Sequence, residues 1–262
     1  MNGDAEIAPP QVTTARLGTF GLAVKWLRLG LHILAGLGVL VCLPLAGSRA
    51  GRLAAWWYRR LLVVLGIAIC LEGELPDRGC LAVANHVSWL DIIVLGSLLD
   101  AAFLSKSEIG GWPLVGRFAR YTGTVFLTRG AGATRQVIGE MAGALRDNRS
   151  VVLFPEATTG RELAPARFHP RLFAAAVETS ANVQPIAIHY LPDGHGAGHH
   201  PLAPWVGEAG ICAHFLRLFA LRGLRVRVCF CAPLTATSAH NRNNLAAASH
   251  AAIKTALLPG VA

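Results

Sequence analysis

Leu81-Ala82-Val83-Ala84-Asn85-His86-Val87-Ser88-Trp89-Leu90-Asp91 opens on four apolar residues, turns at a polar pair and runs on into an apolar stretch that ends at Leu99. The pattern predicts a strand over Leu81–Ala84, a tight turn, and a helix over Ser88–Leu99. A strand that feeds directly into a helix is the building unit of a layered α/β sheet. His86 and Asp91 are separated by four residues across this junction, close enough for the carboxylate to fold back on the imidazole. Such a carboxylate fixes the ring tautomer and leaves the other nitrogen as a base, able to take the proton of an attacking hydroxyl. The same residues also read as a plain helix start, because Ser88-x-x-Asp91 is a capping-box pattern with Ser88 as N-cap.

Downstream, short apolar runs alternate with amphipathic stretches. Further strands are expected at Ala101–Leu104, Thr124–Leu127, Val151–Phe154, Gln184–His189 and Arg225–Cys231. Helices are expected at Thr134–Arg146, Arg171–Thr179, Ala209–Leu221 and Leu245–Leu258. The fold class that follows is α/β, with a mixed central sheet flanked by helices. Residues 192–208 are rich in Gly, Pro and His and read as a surface loop. His195, His199 and His200 cluster there, but Asp193 is the one nearby carboxylate, a poor basis for a metal site.

Two more stretches end strands on polar residues. Val151-Val152-Leu153-Phe154-Pro155-Glu156-Ala157-Thr158-Thr159-Gly160 stops an apolar strand at Pro-Glu and two hydroxyls. In open α/β sheets ligands bind beyond the carboxyl ends of strands; the alternative is an ordinary turn whose threonines satisfy backbone groups. Thr124-Val125-Phe126-Leu127-Thr128-Arg129-Gly130 places Arg129 at a glycine turn after a strand, where a guanidinium can grip an anion through two parallel hydrogen bonds.

Upstream, residues 1–15 read as disordered, and two apolar segments follow. Phe20–Ala46 contains an 18-residue part, Leu29–Ala46, with one His and no formal charge, near the lower limit for crossing a bilayer. Leu53–Leu71 is interrupted by Arg59-Arg60, preceded by Trp56, Trp57 and Tyr58, a composition suited to the headgroup region. Arginines lie on both sides of the first segment, at 16 and 28 before it and at 49 and 52 after it, so charge gives no orientation. The expected organisation is a disordered N-terminus and a hydrophobic, amphipathic helical hairpin for membrane attachment over 1–72, then an α/β domain over 73–262. Two buried core helices are the other reading of the hairpin.

Composition agrees with a membrane surface. The 262 residues are 53% hydrophobic and 15% charged, with mean hydropathy +0.46, against roughly a quarter charged in ordinary soluble domains. Net charge is +9, and of the 24 cations only Lys25, Lys106 and Lys254 are lysines. A basic apolar chain suits anionic lipid; no nucleic-acid motif is present to favour the other polyanion. The six cysteines form no CxxC and read as reduced thiols, with Cys42 and Cys70 expected to be buried in apolar runs.

Taken together, the motifs resemble the glycerolipid and lysophospholipid acyltransferases that carry an H-x4-D motif. His86–Asp91 is similar to the first motif, Gly123–Arg129 to the second, Phe154-Pro155-Glu156-Ala157-Thr158-Thr159 to the third, and Val183-Gln184-Pro185-Ile186-Ala187-Ile188 to the fourth, in the family's order. The resemblance implies transfer of a fatty acyl group from acyl-CoA or acyl carrier protein to the hydroxyl of a lysophospholipid of the 1-acyl-sn-glycerol-3-phosphate type. His86 would be the general base and Asp91 its orienting carboxylate. Glu156, Arg129, Lys106, Thr158 and Thr159 would bind substrate. No cofactor or metal is implied, and the partners are membrane lipids and the acyl donor, with the catalytic domain on the cytoplasmic side of the inner membrane. Two residues depart from the pattern. Ala157 stands where the family usually has glycine, so a positive φ there is strained. Thr159 stands where many lysophosphatidate acyltransferases have Arg, which leaves a lyso-ornithine lipid or another lysolipid open as acceptor. Outside the family, a lipid hydrolase and a non-catalytic lipid-binding protein are the rivals; no G-x-S-x-G occurs to support the former.

Overall fold

The computed structural model describes residues 16–112, 115–127, 133–192, 198–207, 210–236 and 241–258. From the N-terminus come α1 (Thr19–Ala46), a 3-10 turn (Gly47–Arg49), α2 (Ala50–Leu65), β1 (Ile67–Glu72), β2 (Leu81–Ala84), α3 (Leu90–Leu98), β3 (Ala101–Lys106), α4 (Ser107–Gly110), α5 (Val115–Tyr121) and β4 (Val125–Leu127). There follow α6 (Ala133–Arg146), β5 (Ser150–Leu153), a 3-10 turn (Pro170–Phe173), α7 (Ala174–Thr179), β6 (Val183–Leu191), α8 (Ile211–Phe219), β7 (Leu224–Phe230) and α9 (Arg242–Leu257).

Among the described residues the strands form one mixed sheet of seven, in the order β1-β7-β6-β2-β5-β3-β4. All neighbours are parallel except β6 and β7. β2 and β5 are buried along their whole length, as strands covered on both faces must be, and their sequences are accordingly unbroken apolar runs. Alternate residues serve opposite layers. Ala82, Ala84, Val152, Ile186 and Ile188 face α3, α8 and the inner sides of α1 and α2. Leu81, Val83, Val151, Leu153 and Val183 face α6, α7 and α9. In α6, Val137, Met141 and Leu145 are buried at helical spacing. α3 is apolar nearly all round because it lies between the sheet and α2.

The second apolar segment is not helical throughout. α2 stops at Gly66, which takes the left-handed conformation at φ +72, a common glycine helix stop. Ile67–Glu72 then pairs with β7 as the sheet's edge. The continuous hydrophobicity of Leu53–Leu71 hides that change of element; the branched Ile67 and Ile69 suit the strand. Two other expectations change. Cys42 and Cys70 are exposed, the first because it lies on the outward face of α1, the second because β1 is an edge strand. His199 and His200 are buried rather than on a surface loop, because the chain after β6 folds back and His200 N–H donates to Tyr190 O at 2.7 Å.

α1 is the one described helix long and apolar enough to cross a membrane. Twenty-eight residues at the usual rise give about 42 Å. Its outward row, Leu27, Leu31 and Leu34, stays exposed, while its inner side packs on α2, where His32 stacks against Trp57 at 4.7 Å.

Candidate active site

Three adjacent central strands, β6, β2 and β5, bring their following residues to one region, the carboxyl end of β2 and β5. The chain crosses in one direction from β2 to β3 and in the other from β5 to β6, so this is a switch point of the sheet, where open α/β folds place ligands.

Asn85 ends β2 and extends the ladder by its side chain. Its amide donates to Ile188 O at 3.0 Å and accepts from Ile188 N–H at 2.8 Å. His86 comes next. Its N–H donates to Glu156 Oε1 at 2.7 Å, and its carbonyl accepts from Gly160 N–H at 2.8 Å. The turn after β5 therefore holds both backbone groups of His86. Phe154 covers one face of the imidazole at 4.1 Å and 17°.

The ring meets Asp91 as the spacing predicts. His86 Nδ1–H donates to Asp91 Oδ2 at 2.8 Å. The same oxygen accepts from Val87 N–H at 2.7 Å and Ser88 N–H at 2.9 Å. One carboxylate thus makes both the contact to the imidazole and the backbone bond of a capping box, but Ser88 is not the N-cap: that position is Trp89, and the helix proper begins at Leu90. Oδ1 accepts from the Tyr190 hydroxyl at 2.6 Å. Asp91 is fully buried, and four donors replace the water it has lost. A carboxylate can only accept, so the neutral imidazole carries its proton on Nδ1 and presents a bare Nε2. Nε2 has no protein partner among the described residues, and the side chain is 19% exposed. A base so fixed can take a proton from a bound hydroxyl.

Glu156 is buried, and both its oxygens are engaged: Oε1 with His86 N–H and Oε2 with Ala166 N–H at 2.7 Å. Burial pushes its carboxyl up from the usual range, opposed by these two N–H donors and the nearby His86. Its geometry is that of a brace for His86. Thr159 Oγ1 donates to Trp205 O, and Trp205 N–H donates to Val87 O at 2.9 Å, so the turn, the motif loop and the 202–206 segment form one unit. Thr158 is exposed beside them. Ala157 adopts φ +58, the strained conformation expected if that position keeps the glycine-like turn. Lys106 ends β3, two strands from β2, roughly 10 Å away at ordinary strand spacing. Arg129, His195 and Asp193 lie outside the described residues.

Tyr190 and His214 are the site's partners that motif reading missed. Tyr190 sits on β6, 99 residues from Asp91. Burial, then the Asp91 charge, push its phenol well above the ordinary value, so it remains a donor. His214 of α8 accepts from Trp89 Nε1–H at 2.9 Å. No local pattern signals either contact, because both are set by which strands and helices become neighbours.

The family model described as Acyltransferase matches residues 68–189. The lyso-ornithine lipid O-acyltransferase of Pseudomonas aeruginosa is 42% identical over 66% of this chain and 66% of its own length; the chain thus spans a little under two thirds of that relative. The lyso-ornithine lipid O-acyltransferase of Brucella abortus is 34% identical over 74% of this chain and 78% of its own. Among solved structures, the 1-acyl-sn-glycerophosphate (LPA) acyltransferase PlsC of Thermotoga maritima superposes with a TM-score of 0.66, covering 90% of this chain and 92% of that one at 20% identity. At that identity the likeness concerns the fold.

Proposed function

The chain belongs to the acyltransferase family, and from that premise we propose that it transfers a fatty acyl group from a thioester donor, acyl-CoA or acyl carrier protein, to the hydroxyl of a lysolipid. The observation that carries the reading is the His86–Asp91 pair, 2.8 Å apart, with Nε2 bare at the switch point. The acceptor hydroxyl gives its proton to Nε2 as its oxygen attacks the thioester carbonyl. The C–S bond then breaks, and the imidazolium returns the proton to the departing thiolate. Asp91 keeps the ring oriented and stabilises its transient charge. No acyl-enzyme is needed. Backbone N–H groups around Thr158 and Thr159 are the candidates for stabilising the oxyanion.

Two acceptors fit a lysolipid site. The motif pattern points to 1-acyl-sn-glycerol-3-phosphate, with Arg129 and Lys106, by resemblance, as the cations that would bind its phosphate. A lyso-ornithine lipid is the second reading. It is favoured by Thr159, whose neutral hydroxyl is tied to Trp205 where an arginine would serve a phosphate monoester, and by the names of the two curated relatives. The α1–α2 hairpin would hold the enzyme on the membrane. Donors of this kind are cytoplasmic, and the six cysteines are all unpaired thiols, which supports a cytoplasmic face for the catalytic domain.

The test is product analysis. Purified enzyme, labelled acyl-CoA or acyl carrier protein, and a panel of lysolipids should yield a diacyl product. Release of free fatty acid alone would make the protein a hydrolase. Binding without product would make it a lipid-binding protein.

A further inference from the structure

α8 is fastened to the motif loop on one side and to α1 on the other. On the first side, Trp89 donates to His214 Nδ1, and His214 Nε2–H donates to Leu202 O at 3.1 Å. On the second, Trp26 of α1 meets Phe219 at 4.7 Å between ring centroids, and Lys25 Nζ donates to Leu221 O at 3.1 Å. Phe219 stacks on Phe215 at 5.3 Å, and Phe215 lies 6.1 Å from Trp89. Four aromatic rings therefore run without a break from the outer helix to the residue three positions beyond His86.

An open groove of about 310 Å³ lies along this row, lined by Trp89, Ile211, Cys212, Phe215 and Leu216. No polar side chain lines it apart from the Trp89 indole N–H, which His214 already occupies, and Cys212. Leu216 is 51% exposed, an unfavourable placement in water for a helix that has a polar alternative. The groove is joined through Phe219 and Trp26 to the helix that carries the exposed row Leu27, Leu31 and Leu34. Arg28, Arg217 and Arg222 are exposed on these two helices and the turn after α8, as cations at a lipid headgroup layer would be. Both helices cover the same side of the sheet; α6, α7 and α9 cover the other.

We propose that α8 is a third membrane-contacting element, whose Cys212–Leu216 face enters the acyl layer of the bilayer beside α1. Insertion there sets Trp89, and with it His86, at the membrane surface, so that a lipid acceptor reaches the imidazole without leaving the bilayer. The proposal rests on the lysolipid reading above and adds a docking surface to it.

Cys42 of α1, Cys70 of β1 and Cys212 of α8 are exposed thiols, which allows a direct test in the full-length chain. An environment-sensitive fluorophore is attached at Cys212, with Cys42 and Cys70 replaced by serine. A parallel chain carries the label at Cys42, and a third, lacking all three exposed thiols, carries it at Glu140→Cys on the opposite layer. Each is mixed with phosphatidylcholine–phosphatidylglycerol vesicles containing lipid spin-labelled along the acyl chain. The expected result is blue-shifted, quenched emission at 212 and at 42, and no change at 140. Quenching at 42 without quenching at 212 overturns the proposal and leaves membrane attachment through α1 intact. Quenching at neither position removes the membrane reading itself. As a second measurement, Leu216→Glu should weaken vesicle partition about tenfold while leaving turnover of a short-chain, water-soluble lysolipid unchanged. Unaltered partition also overturns the proposal.

Discussion

The Tyr190 hydroxyl donates to Asp91 Oδ1 at 2.6 Å in a fully buried contact. Asp91 uses its other oxygen for His86 and the backbone, so among the described residues Tyr190 alone anchors the free edge of the carboxylate. Tyr190→Phe keeps the ring and deletes that bond. The buried acceptor left unsatisfied is free to tilt, and the imidazole loses its fixed aim. Turnover should fall about tenfold, which is about 1.4 kcal/mol of transition-state stabilisation, with the acceptor KM little changed. Steady-state kcat and KM decide it; an unaltered kcat would show that Asp91 needs no outer support.

Glu156 tests whether the third motif binds substrate or holds the base. Its two oxygens accept from two backbone N–H groups. Glu156→Gln must turn its amide NH₂ toward one of them, leaving a donor facing a donor. The expected outcome is a stability loss of about 1–3 kcal/mol and a lower kcat at nearly constant acceptor KM. A raised KM with undiminished kcat and stability would instead make Glu156 a substrate contact.

His199 makes stability depend on pH. Burial, reinforced by neighbouring His189, holds its imidazole down from the ordinary 6.5 to about 4. Between those values the unfolded chain binds a proton that the folded chain refuses. Stability is therefore complete above 6.5 and drains away as pH falls toward 4. A depression of this size amounts to about 3 kcal/mol at most. His199→Gln should remove much of the loss in Tm between about pH 7.5 and about pH 5. His189 and His214, both held low by burial, will keep part of it. Equal pH dependence in parent and variant would assign the effect elsewhere.

Ala157 is exposed at φ +58. Glycine takes that conformation without the Cβ clash, worth roughly 1–2 kcal/mol, offset by the roughly 0.5–1 kcal/mol cost of a freer unfolded chain. Ala157→Gly should raise Tm by about 2–4 °C with activity retained. A lower Tm would mean that the turn gains something from the methyl group.

Much of the sheet was legible because its strands are short, apolar and separated by helices of distinct period; Leu81–Ala84 matches β2 residue for residue. β1 was not, since Ile67–Leu71 continues the hydrophobic run of α2 without a polar break and only Gly66 marks the change. His86 and Asp91 were legible because their contact spans one local turn. Tyr190, His214 and the Glu156 brace were not assigned these roles, because strand order and helix packing determine which backbone or carboxylate each side chain meets.

His86→Ala is the most direct measurement of the central claim. The variant should fold, bind vesicles as the parent does, and lose at least about a hundredfold in acyl transfer from thioester to lysolipid, because nothing else described at the end of β2 offers a bare nitrogen to the acceptor hydroxyl. A folded, membrane-bound His86→Ala enzyme that still forms diacyl lipid at the parental rate would contradict it.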